Sequence, residues 1–255
     1  MFRIPSTGRL AVLCWALAGF AYADFTAYND VVWATDQPPL PNVTTYNIGS
    51  GSPGPSSGLL KDFTTGQVTN VTASFVQSGG VNWQPDPVTG GSDCDAGTDA
   101  WNVFNPATAS LRGLVYYGAS GWWVDLTFTG LDAGKVYTFV TSANRNGTTY
   151  PDRVTRYTLT GADSFTNAST PGVVISPDGS ASAFNTGYNT VTGYVARWVD
   201  IDPGPDGTFK VRAEADNPGV QYRAYAFSAF QLVEVPEPAT LTLLAMGGLA
   251  LRRRR

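Results

Sequence analysis

The chain has 255 residues, with 16 basic and 20 acidic side chains, no histidine and two cysteines. The lack of histidine excludes histidine-based catalytic triads and histidine-ligated zinc sites, because both need an imidazole ring. Glycine, aspartate, threonine and aromatic residues are plentiful while lysine and glutamate are scarce, and this balance favours strands and turns over helices.

Residues 1–23 have the pattern of a secretory signal peptide. A basic start precedes an apolar stretch at residues 10–20, and Ala21 and Ala23 frame an Ala-x-Ala cleavage site. This apolar stretch is too short for a helix that crosses a bilayer, which needs about 20 residues. We therefore expect export, cleavage by a signal peptidase after Ala23 and a mature chain that begins at Asp24.

From residue 24 to residue 234 the sequence predicts short strands separated by turns, and no helix of useful length. Residues 122–129 alternate between apolar and mainly polar side chains, as expected of a half-buried strand. Residues 130–135 form a turn and residues 136–140 a second strand, so these segments predict a hairpin. Further strands are predicted at residues 25–29, 31–35, 68–76, 153–159, 173–175, 194–200, 208–215 and 224–233.

Two long irregular stretches, residues 37–58 and 79–97, interrupt the strands, and loops of this length are usually binding loops or disordered segments. About eight to eleven short strands with frequent turns predict an all-β fold. We expect a two-sheet antiparallel sandwich of jelly-roll type at residues 24–234, preceded by the signal peptide and followed by a short apolar C-terminal helix.

Four segments within this region carry a family resemblance, at residues 97–104, 126–131, 137–139 and 224–227. A Phe-Thr-Gly-Leu-Asp turn followed by a Tyr-x-Phe strand is their main feature. Residues 99–233 are in this respect similar to the galactose-binding-like β-sandwich domains of exported bacterial proteins. The resemblance implies a sandwich fold and a sugar ligand as an expectation.

Aspartates at short intervals suggest a metal site. Asp93, Asp95 and Asp99 surround a glycine and could supply several oxygen ligands to one structural calcium ion. The alternative is that these aspartates form turns and accept hydrogen bonds from backbone amides. A second set, within residues 200–206, is interrupted by proline and glycine, which favours a plain turn.

Aromatic side chains in loops are the candidates for a ligand surface. Trp83 lies in the second long loop, and Tyr150 follows Asn144 and Arg145 in a polar segment. A flat aromatic ring can bind the C–H groups of a sugar, while amide and guanidinium groups bind its hydroxyls. We expect these four residues to bind an extracellular polysaccharide, and packing inside the fold is the alternative for each aromatic residue.

The sequence predicts a protein that is not an enzyme. Glu214 and Asp216 could form a glycosidase carboxylate pair, but carboxylates two residues apart are common on surface strands. A nucleophile-elbow serine motif and a phosphate-binding glycine loop are both missing from the sequence. Cys14 leaves with the signal peptide, so Cys94 is expected to be a packing residue, with a labile thiol as the alternative.

The C-terminal segment, residues 235–255, combines three features. Pro236, Glu237 and Pro238 precede an uncharged apolar stretch at residues 239–251. Four basic residues then end the sequence: Arg252, Arg253, Arg254 and Arg255. As a helix the apolar stretch would span about 20 Å, less than a hydrocarbon core of about 30 Å, which favours a transient anchor. The arginines should stay cytoplasmic. A buried helix and a permanent anchor are the alternatives.

This combination closely resembles the bacterial PEP-CTERM sorting signal. In that family the tail holds an exported protein at the inner membrane until a membrane-embedded enzyme, exosortase, removes it. The resemblance implies an exosortase as partner, an inner-membrane intermediate and a final location at the cell surface or in the extracellular matrix.

The mature body is more acidic than the whole chain. Six of the 16 basic residues lie in the two terminal segments, whereas all 20 acidic residues lie between Asp24 and Glu237. The resulting net charge of about −10 repels nucleic acid. We therefore expect a polysaccharide-binding module of the surface or biofilm matrix. A purely structural or adhesive protein is the first alternative, and a carbohydrate-active enzyme is the second.

Overall fold

The structure is a computed structural model that describes residues 25–33, 37–48, 54–84, 91–117, 120–150, 152–216 and 224–235. The signal peptide predicted at residues 1–23 and the C-terminal helix lie outside these residues. All described residues belong to one compact unit. Within the described part of the chain, no helix has the length and apolar character needed to cross a membrane.

Strands dominate the secondary structure, as the composition predicts. The strands are β1 Phe25–Asp30, β2 Ser57–Lys61, β3 Val68–Gln77, β4 Val81–Gln84, β5 Leu114–Tyr117, β6 Trp123–Thr129, β7 Val136–Ser142, β8 Val154–Thr160, β9 Ser164–Asn167, β10 Val174–Ile175, β11 Ala181–Asn185, β12 Ala196–Asp202, β13 Phe209–Ala215 and β14 Ala229–Val235. One short helix, α1 Asp99–Phe104, lies between β4 and β5 and continues into a 3-10 turn, Asn105–Ala107.

Two antiparallel sheets pack face to face. One has five strands in the order β1-β14-β7-β12-β9, and the other has seven in the order β10-β11-β8-β13-β6-β3-β2. Strands β4 and β5 form a separate antiparallel ribbon. The predicted all-β fold, a two-sheet antiparallel sandwich, is confirmed.

Aromatic side chains fill the space between the sheets. Phe128 of β6, in the seven-stranded sheet, lies with its ring centroid 5.6 Å from that of Phe139 on β7 and 5.4 Å from that of Phe230 on β14, both in the other sheet. Trp198 of β12 and Phe209 of β13 are fully buried in the same core. Such pairs contribute about 0.5–1.5 kcal/mol each beyond the burial of their area.

The hairpin predicted at residues 122–140 is wrong. β6 pairs with β13 and β3, whereas β7 pairs with β14 and β12 in the opposite sheet. The segment between β6 and β7 therefore crosses from one sheet to the other. This crossing places Phe128 and Phe139 opposite each other across the core, with their rings in an edge-to-face arrangement.

The central region also contains the six-residue helix α1, which the sequence pattern does not predict. Thr98 is its N-cap, and its hydroxyl accepts a hydrogen bond from the backbone N–H of Trp101 (3.4 Å). Ala100 and Phe104 are buried and form the inner face of the helix. Six residues are too few for a sequence periodicity of 3.6 to become evident, which explains why the pattern does not predict this helix.

Candidate functional site

Two arginines and two tyrosines meet at the end of the sandwich where β7 ends and β8 begins. The guanidinium carbon of Arg153 lies 3.4 Å from the ring centroid of Tyr150 and 5.4 Å from that of Tyr225. Arg145 lies 5.5 Å from the centroid of Tyr150 and 6.0 Å from that of Tyr225. Arg153 also donates a hydrogen bond to the hydroxyl of Tyr225. We call these four residues the arginine–tyrosine cluster.

The cluster is partly open to solvent. Arg145, Tyr150 and Arg153 are half-buried, whereas Tyr225 is buried beneath them. A hydrogen bond from Arg145 and the positive charges of Arg153 and Arg145 lower the pKa of the Tyr150 hydroxyl. The surface thus presents two planar cations beside an aromatic ring, an arrangement suited to oxygen acceptors and to flat C–H faces.

Backbone hydrogen bonds hold the loop that carries Arg145 and Tyr150. The N–H of Arg145 donates to the carbonyl of Thr186 (2.9 Å), and the N–H of Gly147 donates to the carbonyl of Gly187 (2.8 Å). The N–H of Thr186 donates in turn to the carbonyl of Arg153 (2.9 Å). The loop is therefore fixed before any ligand arrives.

Asn144 lies below this surface and is fully buried. Its amide nitrogen donates to the carbonyl of Ser92 (2.8 Å) and to the hydroxyl of Thr190 (2.9 Å). Its amide oxygen accepts from the backbone N–H groups of Asn146 (3.0 Å) and Asn189 (2.9 Å). The protein occupies all four hydrogen-bonding positions of this amide, so Asn144 positions the loop and offers a ligand no further hydrogen bond.

Trp83 belongs to the β4–β5 ribbon, where its backbone pairs with Val115. Its side chain lies outside the described part of the structure. The neighbouring Tyr116 packs against a small buried group that includes Tyr225, and the carbonyl of Val115 accepts from the N–H of Ala226 (3.2 Å). The fold thus brings the ribbon that carries Trp83 next to the segment that carries Tyr225.

The aspartates predicted to bind calcium do not converge. Asp93 accepts from the backbone N–H of Leu111 (2.8 Å), and Asp99 accepts from the hydroxyl of Thr170 (2.8 Å). Asp95 is exposed. The described residues contain no group of three acidic or cysteine side chains that could hold a metal ion. At Asp93 and Asp99 the geometry corresponds to aspartates that fix loops, the alternative left open by the sequence.

The other aspartates and the acidic pair also bond to the protein itself. Asp202 accepts from the backbone N–H of Gly204 (2.9 Å), as in the plain turn favoured at residues 200–206. Asp216 accepts from the guanidinium Nε of Arg156 (2.8 Å), in an exposed ion pair whose contribution to stability is typically about 0–1 kcal/mol. Asp216 is thereby engaged in a surface contact next to Glu214.

Cys94 is a buried packing residue. It lies in a hydrophobic cluster with Ala100 and Val195, and its thiol donates to the carbonyl of Asn189 (3.3 Å). Burial, followed by the negative charges of nearby aspartates, raises the pKa of this thiol far above its ordinary value. A thiol that stays protonated is a poor nucleophile, which fits the packing role predicted from the sequence.

Sequence reasoning missed two members of the cluster. Arg153 stands at the start of the strand predicted at residues 153–159, and Tyr225 lies within the strand predicted at residues 224–233. The glycine at position 147, in the loop that carries Tyr150, is a partial signal of the site in the sequence. A Cβ at this position would overlap the ring of Tyr150, so only glycine allows the tyrosine to lie against the loop in this way.

The opposite end of the sandwich carries the exit of the C-terminal segment. The last residue of β14, Val235, pairs with Val136, and Glu234 pairs with Tyr137. The hydroxyl of Tyr137 donates to the Glu234 carboxylate (2.9 Å). The next residue in the sequence is Pro236, which has no N–H to donate to a strand ladder.

Comparison with known proteins identifies this segment alone. The chain matches no curated protein and no solved structure. Residues 234–255 match the model described as the PEP-CTERM protein-sorting motif. The chain therefore carries a PEP-CTERM sorting motif at residues 234–255, and this motif implies export and membrane-associated processing by an exosortase-type enzyme.

Proposed function

We propose that the sandwich is a non-catalytic module that binds an extracellular polysaccharide at the arginine–tyrosine cluster. The observation that carries this proposal is the contact of Arg145 and Arg153 with Tyr150, at 5.5 and 3.4 Å from its ring centroid, with both arginines partly exposed. The contact with Tyr150 holds both guanidinium groups at a partly exposed surface, where they could bind sugar hydroxyls or carboxylates in addition to their partners in the protein. The solvent-exposed part of the Tyr150 ring would contact the C–H groups of a pyranose.

The location supports the proposal. Loops at the end of a rigid β-sandwich are a common position for binding residues, because the sheets hold them while their sequence can vary. Here the loop is tied by backbone bonds to residues 186–187, so little conformational entropy is lost on binding. A PEP-CTERM protein that is exported and sorted would meet polysaccharide in the envelope or matrix.

The test is binding to an array of extracellular polysaccharides and their fragments. We expect Tyr150→Ala and Arg145→Ala each to weaken binding about tenfold, since each removes one contact of about 1.4 kcal/mol. Arg156→Ala is the matched control, because Arg156 is an exposed arginine on β8 that pairs with Asp216 and is not part of the cluster. Binding that survives both cluster variants would refute the proposed site.

Two other outcomes would favour other functions. A protein that binds no glycan but still joins the envelope or matrix would be structural or adhesive. Turnover of a polysaccharide that is lost in Glu214→Gln would indicate a carbohydrate-active enzyme. An added chelator during the binding assay tests the predicted calcium ion, since loss of binding on chelation would indicate a bound metal.

A further inference from the structure

The sorting motif begins inside the folded domain. The match to the motif starts at Glu234, and β14 continues to Val235, so two residues belong to both. Pro236 follows Val235 directly. The sequence thus provides no spacer between the last strand of the sandwich and the Pro-Glu-Pro tripeptide.

The end of β14 is held on both sides. Glu234 pairs with Phe25 of β1 and with Tyr137 of β7, which flank β14 in the five-stranded sheet. The Tyr137 hydroxyl donates to Glu234 and accepts from the backbone N–H of Asp132 (2.8 Å), so it links this strand end to the next turn. The strand end should therefore not separate easily from the sheet.

Chain geometry then limits how far the tripeptide can lie from the sandwich. An extended chain advances at most about 3.6 Å per residue, so Pro238 is within about 11 Å of Val235. An enzyme that encloses the tripeptide must therefore contact the end of the sandwich. Its binding energy and its access to the motif both depend on the surface there.

A groove of about 380 Å³ lies at this point and is lined by Glu234 itself. Its walls come from the start of β3 with the preceding loop and from the turn after β6, including Asp62, Val68, Asn70 and Asp132. None of the described residues that line the groove is basic. Val68, Asn70 and Asp132 are exposed there. The groove thus presents hydrogen-bond acceptors and an exposed apolar side chain to any protein or membrane surface that approaches the sorting motif.

We propose that this groove is a docking surface for the exosortase-type enzyme, which binds the folded sandwich together with the tail. The enzyme would present cationic or hydrogen-bond-donating groups to Asp132 and Asn70. The membrane surface is the less favoured occupant, because an acidic groove is repelled by anionic lipids. The proposal depends on the sorting motif and is independent of polysaccharide binding.

The experiment compares two charge-matched double variants of the full chain, expressed in cells that contain the sorting enzyme. The groove pair is Val68→Arg with Asp132→Asn. The amide oxygen introduced by Asp132→Asn can still accept the N–H bond of Gly134, which the Asp132 carboxylate accepts at 2.8 Å. The control pair is Val191→Arg with Asp95→Asn, at the other end of the molecule. Val68 and Val191 are each 59% exposed.

Each pair is also made with an eight-residue Gly-Ser spacer inserted between Val235 and Pro236. We expect the groove pair to slow removal of the tail at least about fivefold in the spacer-free chain, because the docking contact is lost. The control pair should be processed like the parent chain. With the spacer, both pairs should be processed alike, because the enzyme no longer needs to contact the groove.

Three results would overturn the proposal. Equal processing of both pairs without the spacer would show that the groove makes no contact with the enzyme. Equal slowing of the groove pair with and without the spacer would place the defect in folding or export, which protease resistance of the sandwich would reveal. Altered binding of the uncleaved groove pair to anionic vesicles, with unchanged cleavage, would make the membrane the occupant.

Discussion

At the residue scale, Asp30 shows how strongly the fold can change the chemistry of one side chain. It ends β1 and is fully buried, with its two carboxylate oxygens accepting from the backbone N–H groups of Val32 (3.1 Å) and Ser110 (2.8 Å). Burial raises its pKa from 3.8 to about 8, and the nearby charge of Asp93 adds to the increase. Because Ser110 is remote in sequence, no local pattern could identify Asp30.

This shifted pKa predicts a pH-dependent stability. Between about pH 4 and pH 8 the folded chain holds the proton on Asp30 that the unfolded chain releases, so raising the pH favours unfolding. We expect the free energy of unfolding contributed by this group to fall across that interval. Urea unfolding at pH 5, 6, 7 and 8 should show a smaller fall for Asp30→Asn than for the parent chain.

The two proteins are compared by how steeply the free energy of unfolding changes with pH, and not by its absolute value. An asparagine at position 30 can accept only one of the two backbone bonds with its single oxygen, so the variant should be less stable than the parent at pH 5, where Asp30 is protonated in the folded chain. Identical pH slopes for the two proteins would contradict a raised pKa at Asp30.

At the scale of elements, alternation predicts where strands lie but not which strands pair. The pattern correctly indicates strands at β6 and β7, yet nothing in it shows that the turn between them crosses from one sheet to the other. Pairing depends on contacts far apart in the chain, such as those of β6 with β13. A helix as short as α1 has too few residues for a helical hydrophobic period to be recognised in the sequence.

The sequence likewise predicts the proximity of some residues of the candidate site but not of others. Arg145 and Tyr150 lie in one loop, so their proximity follows from the local sequence. Tyr225 is 72 residues beyond Arg153, and only the folded sheets bring the two together. Asn144 resembles a surface residue in sequence because burial of a polar side chain leaves no local signature when its partners are distant.

The loop between β7 and β8 offers a test that removes no ligand-binding group. A methyl group at Gly147 would displace the Tyr150 ring, so Gly147→Ala should lower polysaccharide affinity about three- to tenfold. Because this tyrosine is half-buried and can rotate outward, the free energy of unfolding should change by less than about 1 kcal/mol.

Gly79→Ala is the control for this substitution, since a Cβ there meets no atom within 4 Å. Affinity and urea unfolding are measured on all three proteins. Equal affinities for Gly147→Ala and Gly79→Ala would show that the position of the Tyr150 ring is unimportant for binding.

At the scale of the whole molecule, the sorting motif at residues 234–255 implies export and membrane-associated processing, and the sandwich is the part that would be delivered. The acidic body has a net charge of about −10 once the basic termini are removed, so anionic surfaces repel it. While the tail remains attached, its four arginines and its apolar stretch favour binding to the membrane. Removal of the tail should therefore convert a membrane-held protein into one that leaves the membrane.

Intact-mass analysis of the native protein from the outer fraction of its host tests this conversion. We expect a mass for a chain that begins at Asp24 and ends within the Pro-Glu-Pro region, with or without an added group. Changing Pro236→Ala together with Glu237→Ala should leave the tail attached and the protein in the membrane fraction, because the processing enzyme then lacks its motif.

The native mass distinguishes a protein whose tail has been removed from one that keeps its tail as an anchor. An apolar stretch of about 20 Å matches a hydrocarbon core of about 30 Å poorly, and two adjacent glycines, Gly247 and Gly248, further weaken a helix. Such a segment holds a protein only briefly unless an enzyme or partner stabilises it. A native mass that still includes residues 239–255 would show that the mismatch is tolerated and that the tail is a lasting anchor.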